Sequence, residues 1–136
     1  MNISHRDIKL ENILVDTESD NFQTKIIDFG FSVQTKTASE KLRSFCGTPA
    51  YMSPELCQKI EYYGPGVDIW AIGVVFYTIL FGNQPWKGRS EQEPFKKISQ
   101  GVVFYPKSSH QDFKKMDQSH TRMKSAKNLM GLTSKK

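Results

Sequence analysis

A chain of 136 residues is long enough for one domain, burying roughly two-thirds of its extended-chain surface. Its 38% hydrophobic and 24% charged residues are ordinary globular usage and exclude a disordered polyampholyte. The net charge of +5 is mild and much of it lies late, where Lys114, Lys115, Arg122, Lys124, Lys127, Lys135 and Lys136 outnumber Asp112 and Asp117. A solvated basic face accounts for those charges better than a nucleic-acid surface, and no aromatic residues interleave them as an RNA-binding strand requires. Cys46 and Cys57 have no zinc-like spacing and no secretory leader precedes Ile3, so a reducing, cytoplasmic setting inside the cell is expected. The longest apolar run, Ile69 to Gly82, is about fourteen residues, short for a membrane span, and no membrane segment is expected.

In chain order, the first motif is His5-Arg6-Asp7-Ile8-Lys9-Leu10-Glu11-Asn12, a carboxylate, an amine and a carboxamide in one short turn. Asp7 and Lys9, two apart, point the same way in an extended backbone, and Asn12 joins them where the chain turns. Such a cluster suits phosphate and metal chemistry; taken alone, it reads equally well as a solvated loop. Ile13-Leu14-Val15 is a short apolar strand and Asp16 to Asn21 a polar turn, which with Thr24-Lys25-Ile26-Ile27 predicts a β-hairpin over residues 13–27. A hairpin brings its ends together, so Asn12 and Asp28 become neighbours. One carboxamide and one carboxylate suit Mg2+, which favours oxygen ligands and retained water. The plain alternative is that Asn12 ends a turn and Asp28 caps one.

Residues 31–52 show no helical or strand period and read as a long functional loop, carrying Arg43-Ser44-Phe45-Cys46-Gly47-Thr48-Pro49. Ser53 is placed to cap a short helix opened by Pro54, with Glu55 as a first-turn anion. Gly66 to Gly82 is apolar all round and ends at a glycine, which predicts a buried central helix. Asp68 near its start is costly to bury unless it accepts hydrogen bonds, and capping the helix is a compatible role. Gln84-Pro85-Trp86 breaks the pattern before an amphipathic stretch from Ser90 through Phe95 and Ile98 to Gly101. Past Pro106, Phe113, Met116, Met123, Ala126, Leu129 and Met130 mark further helical faces. The expected fold is mainly α with one small hairpin, a domain over 1–130 and a basic tail over 131–136.

With His5-Arg6-Asp7, Asp28-Phe29-Gly30 and Ser53-Pro54-Glu55 in that order, the chain resembles the catalytic part of a eukaryotic protein kinase. The match covers nearly all of residues 3–105 and loosely 106–130. Lys9 favours the Ser/Thr class, and Phe45-Cys46-Gly47-Thr48-Pro49 with Asp68-Ile69-Trp70 is similar to the calcium/calmodulin-dependent and AMP-activated kinase group. The resemblance implies a kinase C-terminal lobe, incomplete, with ATP and Mg2+ as cofactors and proteins bearing Ser or Thr as substrates. It implies that Asp7 orients the substrate hydroxyl and accepts its proton, Lys9 steadies the γ-phosphate, and Asn12 and Asp28 hold Mg2+. His5 and Arg6 take structural roles in the catalytic loop.

Ser44 stands where similar kinases carry an activating phosphate from an upstream kinase; about two added negative charges there would pair with Arg6. Thr48 would contact Asp7 and Lys9 and favour Ser/Thr substrates, or else be a loop threonine before Pro49. Glu11 stands where basophilic members contact a substrate arginine, and reads equally as a solvent-facing glutamate. Glu55 would pair with Arg122, buried or at the surface, and Asp68 would hold the catalytic-loop backbone. No Gly-rich loop, strand lysine, hinge or preceding long helix occurs in these residues, so the chain reads as a truncated product of low isolated activity. Part of the apolar helix from Ile69 to Phe81 is then expected to lie exposed. The alternative is a non-catalytic interaction module or decoy that keeps a substrate-docking surface.

Overall fold

The computed structural model describes residues 2–17, 23–88, 90 and 92–106. The chain divides after Phe104, and the architecture below is that of the unit Met1–Phe104. Its elements run β1 (Ile3–Ser4), a 3-10 turn (Leu10–Asn12), β2 (Ile13–Val15), β3 (Thr24–Ile26), a second 3-10 turn (Phe29–Phe31) and β4 (Val33–Gln34). After them come β5 (Lys41–Leu42), a third 3-10 turn (Pro49–Tyr51), α1 (Pro54–Cys57), β6 (Tyr62–Tyr63), α2 (Gly64–Phe81) and α3 (Gln92–Ser99).

The predicted hairpin forms with Ile13 opposite Ile26, Leu14 opposite Lys25 and Val15 opposite Thr24. Two further antiparallel ladders, β1 with β4 and β5 with β6, tie the long loop down at two points that its sequence does not announce. Strands of two residues are too short to carry a readable alternation, so that segment, expected to be irregular, proves partly paired.

The helix α2 organises the packing. Pro65 suits its first turn, where a missing N–H costs nothing, and the helix therefore begins two residues before the expected Gly66. Val67, Ala71, Val74 and Val75, spaced three and four apart, are buried; of these, Ala71, Val74 and Val75 pack with Ile8, Tyr51, Trp86 and Ile98. Gly64 lets the helix start against β1: a Cβ there would lie 2.2 Å from the Ser4 hydroxyl oxygen. A second cluster, Leu56, Tyr62 and Val67, joins α1 and β6 to the helix.

The expectation of a helix buried all round is corrected. Ile69 is 69% exposed and Phe76 61%, with Ile72, Ile79 and Leu80 also open, so one apolar face is uncovered, as anticipated for part of Ile69 to Phe81. Packing against α2 from β1, β6 and the Pro49–Tyr51 turn reaches its other face. At 18 residues, mean hydropathy 1.6 and 28% burial, α2 has the length and composition of a membrane-crossing helix, where the sequence suggested a shorter run. Its buried face and the anchoring of Asp68 described below make it the central helix of this unit.

At α1 the cap differs from expectation. Ser53 occupies the cap position, yet its side chain makes no capping bond and its buried hydroxyl has no partner among the described residues. The helix closes on Lys59 in the left-handed region (φ 55), with the Ile60 N–H donating to the Glu55 carbonyl at 3.0 Å. A side chain there costs about 1 kcal/mol, which glycine avoids. Lys59→Gly is therefore expected to raise the unfolding free energy by about 1 kcal/mol, read as a higher urea midpoint with the slope of the transition unaltered.

Candidate active site

The His5–Asn12 turn, the candidate catalytic loop, is held from beneath by α2. The Asp68 carboxylate accepts the His5 N–H at 2.8 Å on one oxygen and the Arg6 N–H at 2.7 Å on the other. This fork secures Arg6 in a left-handed conformation (φ 65) that a non-glycine residue adopts only when its surroundings enforce it. The turn then aims Asp7 inward, where it is 4% exposed.

One oxygen of Asp7 accepts both the Thr48 N–H at 2.8 Å and the Thr48 hydroxyl at 2.7 Å; the other lies 3.0 Å from Lys9 Nζ. Lys9 Nζ also donates to Thr48 Oγ1 at 2.9 Å, so carboxylate, ammonium and hydroxyl close a triangle. Asn12 completes the turn by donating from Nδ2 to the Asp7 carbonyl at 2.9 Å. Gly47 permits this approach: it has φ +114, and a Cβ would sit 2.7 Å from the Arg6 carbonyl oxygen.

Burial works to raise the Asp7 pKa, but the hydrogen bonds from Thr48 and Lys9 outweigh it and hold the carboxyl below its ordinary value. The bond to Asp7 raises the Lys9 pKa above the usual lysine value. A carboxyl with a lowered pKa contributes stability that is complete above the ordinary carboxylate range and lost as pH falls through the lowered value. Urea midpoints measured from pH 6 down to pH 2 should accordingly fall less steeply in Asp7→Asn than in the wild type.

His5 joins this loop to the next. Its Nδ1 accepts the Asp7 N–H at 3.3 Å, which leaves Nε2 to donate to the Ile27 carbonyl at 3.0 Å, and its ring meets the Phe29 ring edge-on at 4.9 Å. The Ile27 N–H in turn donates to the Asn12 carbonyl at 2.9 Å, so Asn12 and Asp28 leave the same end of the β2–β3 hairpin. Asp28 is exposed and left-handed (φ 61), its carboxylate accepting the Gly30 N–H at 3.2 Å.

Because Asn12 commits its nitrogen to Asp7, its carboxamide oxygen is the atom left for a ligand. Among the described residues no cluster of three His, Cys, Asp or Glu side chains forms a closed metal cage. One carboxylate and one carboxamide at a hairpin end, open to solvent at Asp28, fit Mg2+, a cation that keeps water and shares phosphate oxygens.

The remaining candidates lie around this centre. Glu11 is exposed on the Leu10–Asn12 turn, and its charge contributes to raising the Lys9 pKa. Ser44 is exposed, and its carbonyl accepts the Tyr62 hydroxyl at 2.6 Å; Tyr62 also receives Arg6 Nη1 at 3.2 Å. Glu55 is exposed at the start of α1, while Arg122, and with it the expected pairing, lies outside the described residues. Tyr62 was not legible as a site residue, since a tyrosine beside Tyr63 in a short apolar stretch reads as core.

The protein kinase domain model matches residues 1–135, and the chain belongs to the eukaryotic protein kinase family. It is similar, more particularly, to serine/threonine kinases related to the AMP-activated group. It is 47% identical over 91 residues to the probable serine/threonine-protein kinase MARK-C of Dictyostelium discoideum, covering 67% of this chain and 11% of that protein. With MARK-A of the same organism it shares 46% over 102 residues, covering 75% of this chain and 9% of the relative. With NUAK family SNF1-like kinase 1 of Homo sapiens it shares 44% over 104 residues, covering 76% of this chain and 15% of the relative. The chain thus spans a small part of the length of these relatives.

Proposed function

We propose that the chain carries the phosphoryl-transfer and substrate-positioning residues of a protein serine/threonine kinase, corresponding to the C-terminal lobe, with ATP as donor and Mg2+ as cofactor. The triangle of Asp7, Lys9 and Thr48 is the observation that carries this function. A substrate hydroxyl brought to Asp7 has its oxygen oriented for in-line attack on the γ-phosphorus. The new O–P bond forms as the bond to ADP breaks, and the hydroxyl proton passes to the Asp7 carboxylate. A carboxyl with a lowered pKa is a weak base, so Asp7 contributes mainly by orienting the hydroxyl and takes the proton late. Lys9, kept protonated by Asp7, presents its charge to the transferring phosphoryl group. Mg2+ held by Asn12 and Asp28 would neutralise phosphate charge.

Thr48, occupying the gap beside Asp7, favours Ser and Thr over the bulkier tyrosine, and exposed Glu11 favours basic substrates. Exposed Ser44 is the activating site for an upstream kinase. Free thiols at Cys46 and Cys57 accord with the reducing cytoplasm.

A second function, as a non-catalytic interaction module, is favoured by apolar side chains left open on the hairpin and on α2, among them Leu14, Ile26, Ile69 and Phe76. One assay separates the two: phosphate transfer from Mg-ATP to a basic serine peptide by the wild-type chain and by Asp7→Asn. Transfer, even slow, that collapses in the variant supports the kinase. Peptide binding without transfer in the wild type supports the module, and transfer indifferent to Asp7 defeats the catalytic assignment.

A further inference from the structure

Tyr62 is 2% exposed and packed with Leu56 and Val67, yet its hydroxyl reaches out of that core to two groups of opposite kind. Arginine has only donors, so the phenol oxygen must accept from Arg6 Nη1, which leaves its single proton for the Ser44 carbonyl. The relay therefore has one polarity, Arg6 to Tyr62 to Ser44, and bonds arranged head to tail reinforce one another.

Each end is fastened separately. Arg6 is held by Asp68 through its backbone, and its Nε donates at 2.7 Å to the carbonyl of Phe31, just past the metal loop. The Ser44 end follows β5, whose Leu42 stands opposite Tyr62 itself. Beside it Glu61 meets Arg43 at 2.6 Å and Lys41 at 3.9 Å; as exposed pairs, these add little by comparison. Ser44 enters the relay through its carbonyl, leaving the side chain of this exposed residue outside it.

We propose that Tyr62 is a positioning residue that latches the activation segment to Arg6 before any phosphate is present. Phosphorylation of Ser44 then adds an ionic contact to a segment already in place, instead of ordering a free loop. This rests on Ser44 being the regulatory site of the kinase, and it assigns the unmodified state a structure of its own. Arg6 is common to both states: it donates to a neutral phenol in one and gains a phosphate partner in the other.

The test is amide hydrogen exchange of the full chain, comparing wild type with Tyr62→Phe, which removes one oxygen and keeps the buried ring. Loss of one relay bond should speed exchange of residues 42–46 by about fivefold to tenfold, with α2 unchanged. Ser44 phosphorylation should restore the protection in Tyr62→Phe. Equal exchange in both chains overturns the latch; so does faster exchange throughout α2, which would make Tyr62 a core residue only. A second comparison uses Arg6→Leu alone and combined with Tyr62→Phe: effects that add independently overturn the relay, and a double variant no worse than the worse single one supports it. Phosphate transfer has no part in this readout. A chain that transfers nothing can still show the latch, and a failed latch leaves the roles of Asp7 and Lys9 standing.

Discussion

Asp7→Asn is expected to lower phosphate transfer by about 10²–10⁴-fold, the range for losing a positioned acid–base group. The carboxamide is nearly the same size, so the turn survives, but one oxygen becomes an NH2 that cannot accept. Asp7 now accepts on both sides, from Thr48 on one oxygen and from Lys9 on the other. With an amide, one of those donors faces another donor, and no anionic acceptor remains for the substrate proton. The loss should appear in kcat, with peptide KM little changed, because the group acts on the reacting hydroxyl. A variant retaining more than about a tenth of the wild-type kcat would leave Asp7 without the proposed role.

Asp68→Ala is expected to destabilise the chain by about 3–5 kcal/mol, read from urea unfolding. Two backbone N–H groups, of His5 and Arg6, donate to this carboxylate, and each bond to a charged acceptor contributes about 1.5–3 kcal/mol. Alanine leaves both donors facing an apolar helix with nothing to accept them, and it removes what holds Arg6 at positive φ. Asp68→Asn keeps one acceptor oxygen and should lose about half as much. A loss below about 1 kcal/mol in Asp68→Ala would mean that the loop holds its shape without α2.

The hairpin and the central helix were legible because each shows as an apolar or β-leaning run bounded by turn residues. Ile13 to Val15 and Thr24 to Ile26 flank a polar turn, and the apolar stretch ending at Gly82 is long. The start of α2 was misplaced because Gly64-Pro65-Gly66 reads as a turn until the helix is seen to use Pro65 in its first turn. The cap at Ser53 was assigned from residue preference, whereas its hydroxyl faces the interior. The ladders pairing β1 with β4 and β5 with β6 leave no trace in short stretches whose partners lie far along the chain.

What the amino-acid sequence determined by itself was the chemistry on offer: a carboxylate, an amine and a carboxamide in one turn, a second carboxylate across a hairpin, and a kinase-like order of motifs. Those features are local, set by spacing and by turns a few residues long. The resemblance implied that Asp68 holds the backbone of the His5–Asn12 turn and that Thr48 meets Asp7 and Lys9, and the tertiary structure gave those contacts their geometry; it alone decided that His5 spans two loops and that Tyr62 links Arg6 to Ser44. Each of these is a hydrogen bond of 3.2 Å or less between residues distant in sequence, made where tertiary packing brings them together, and no residue preference specifies such a meeting in advance.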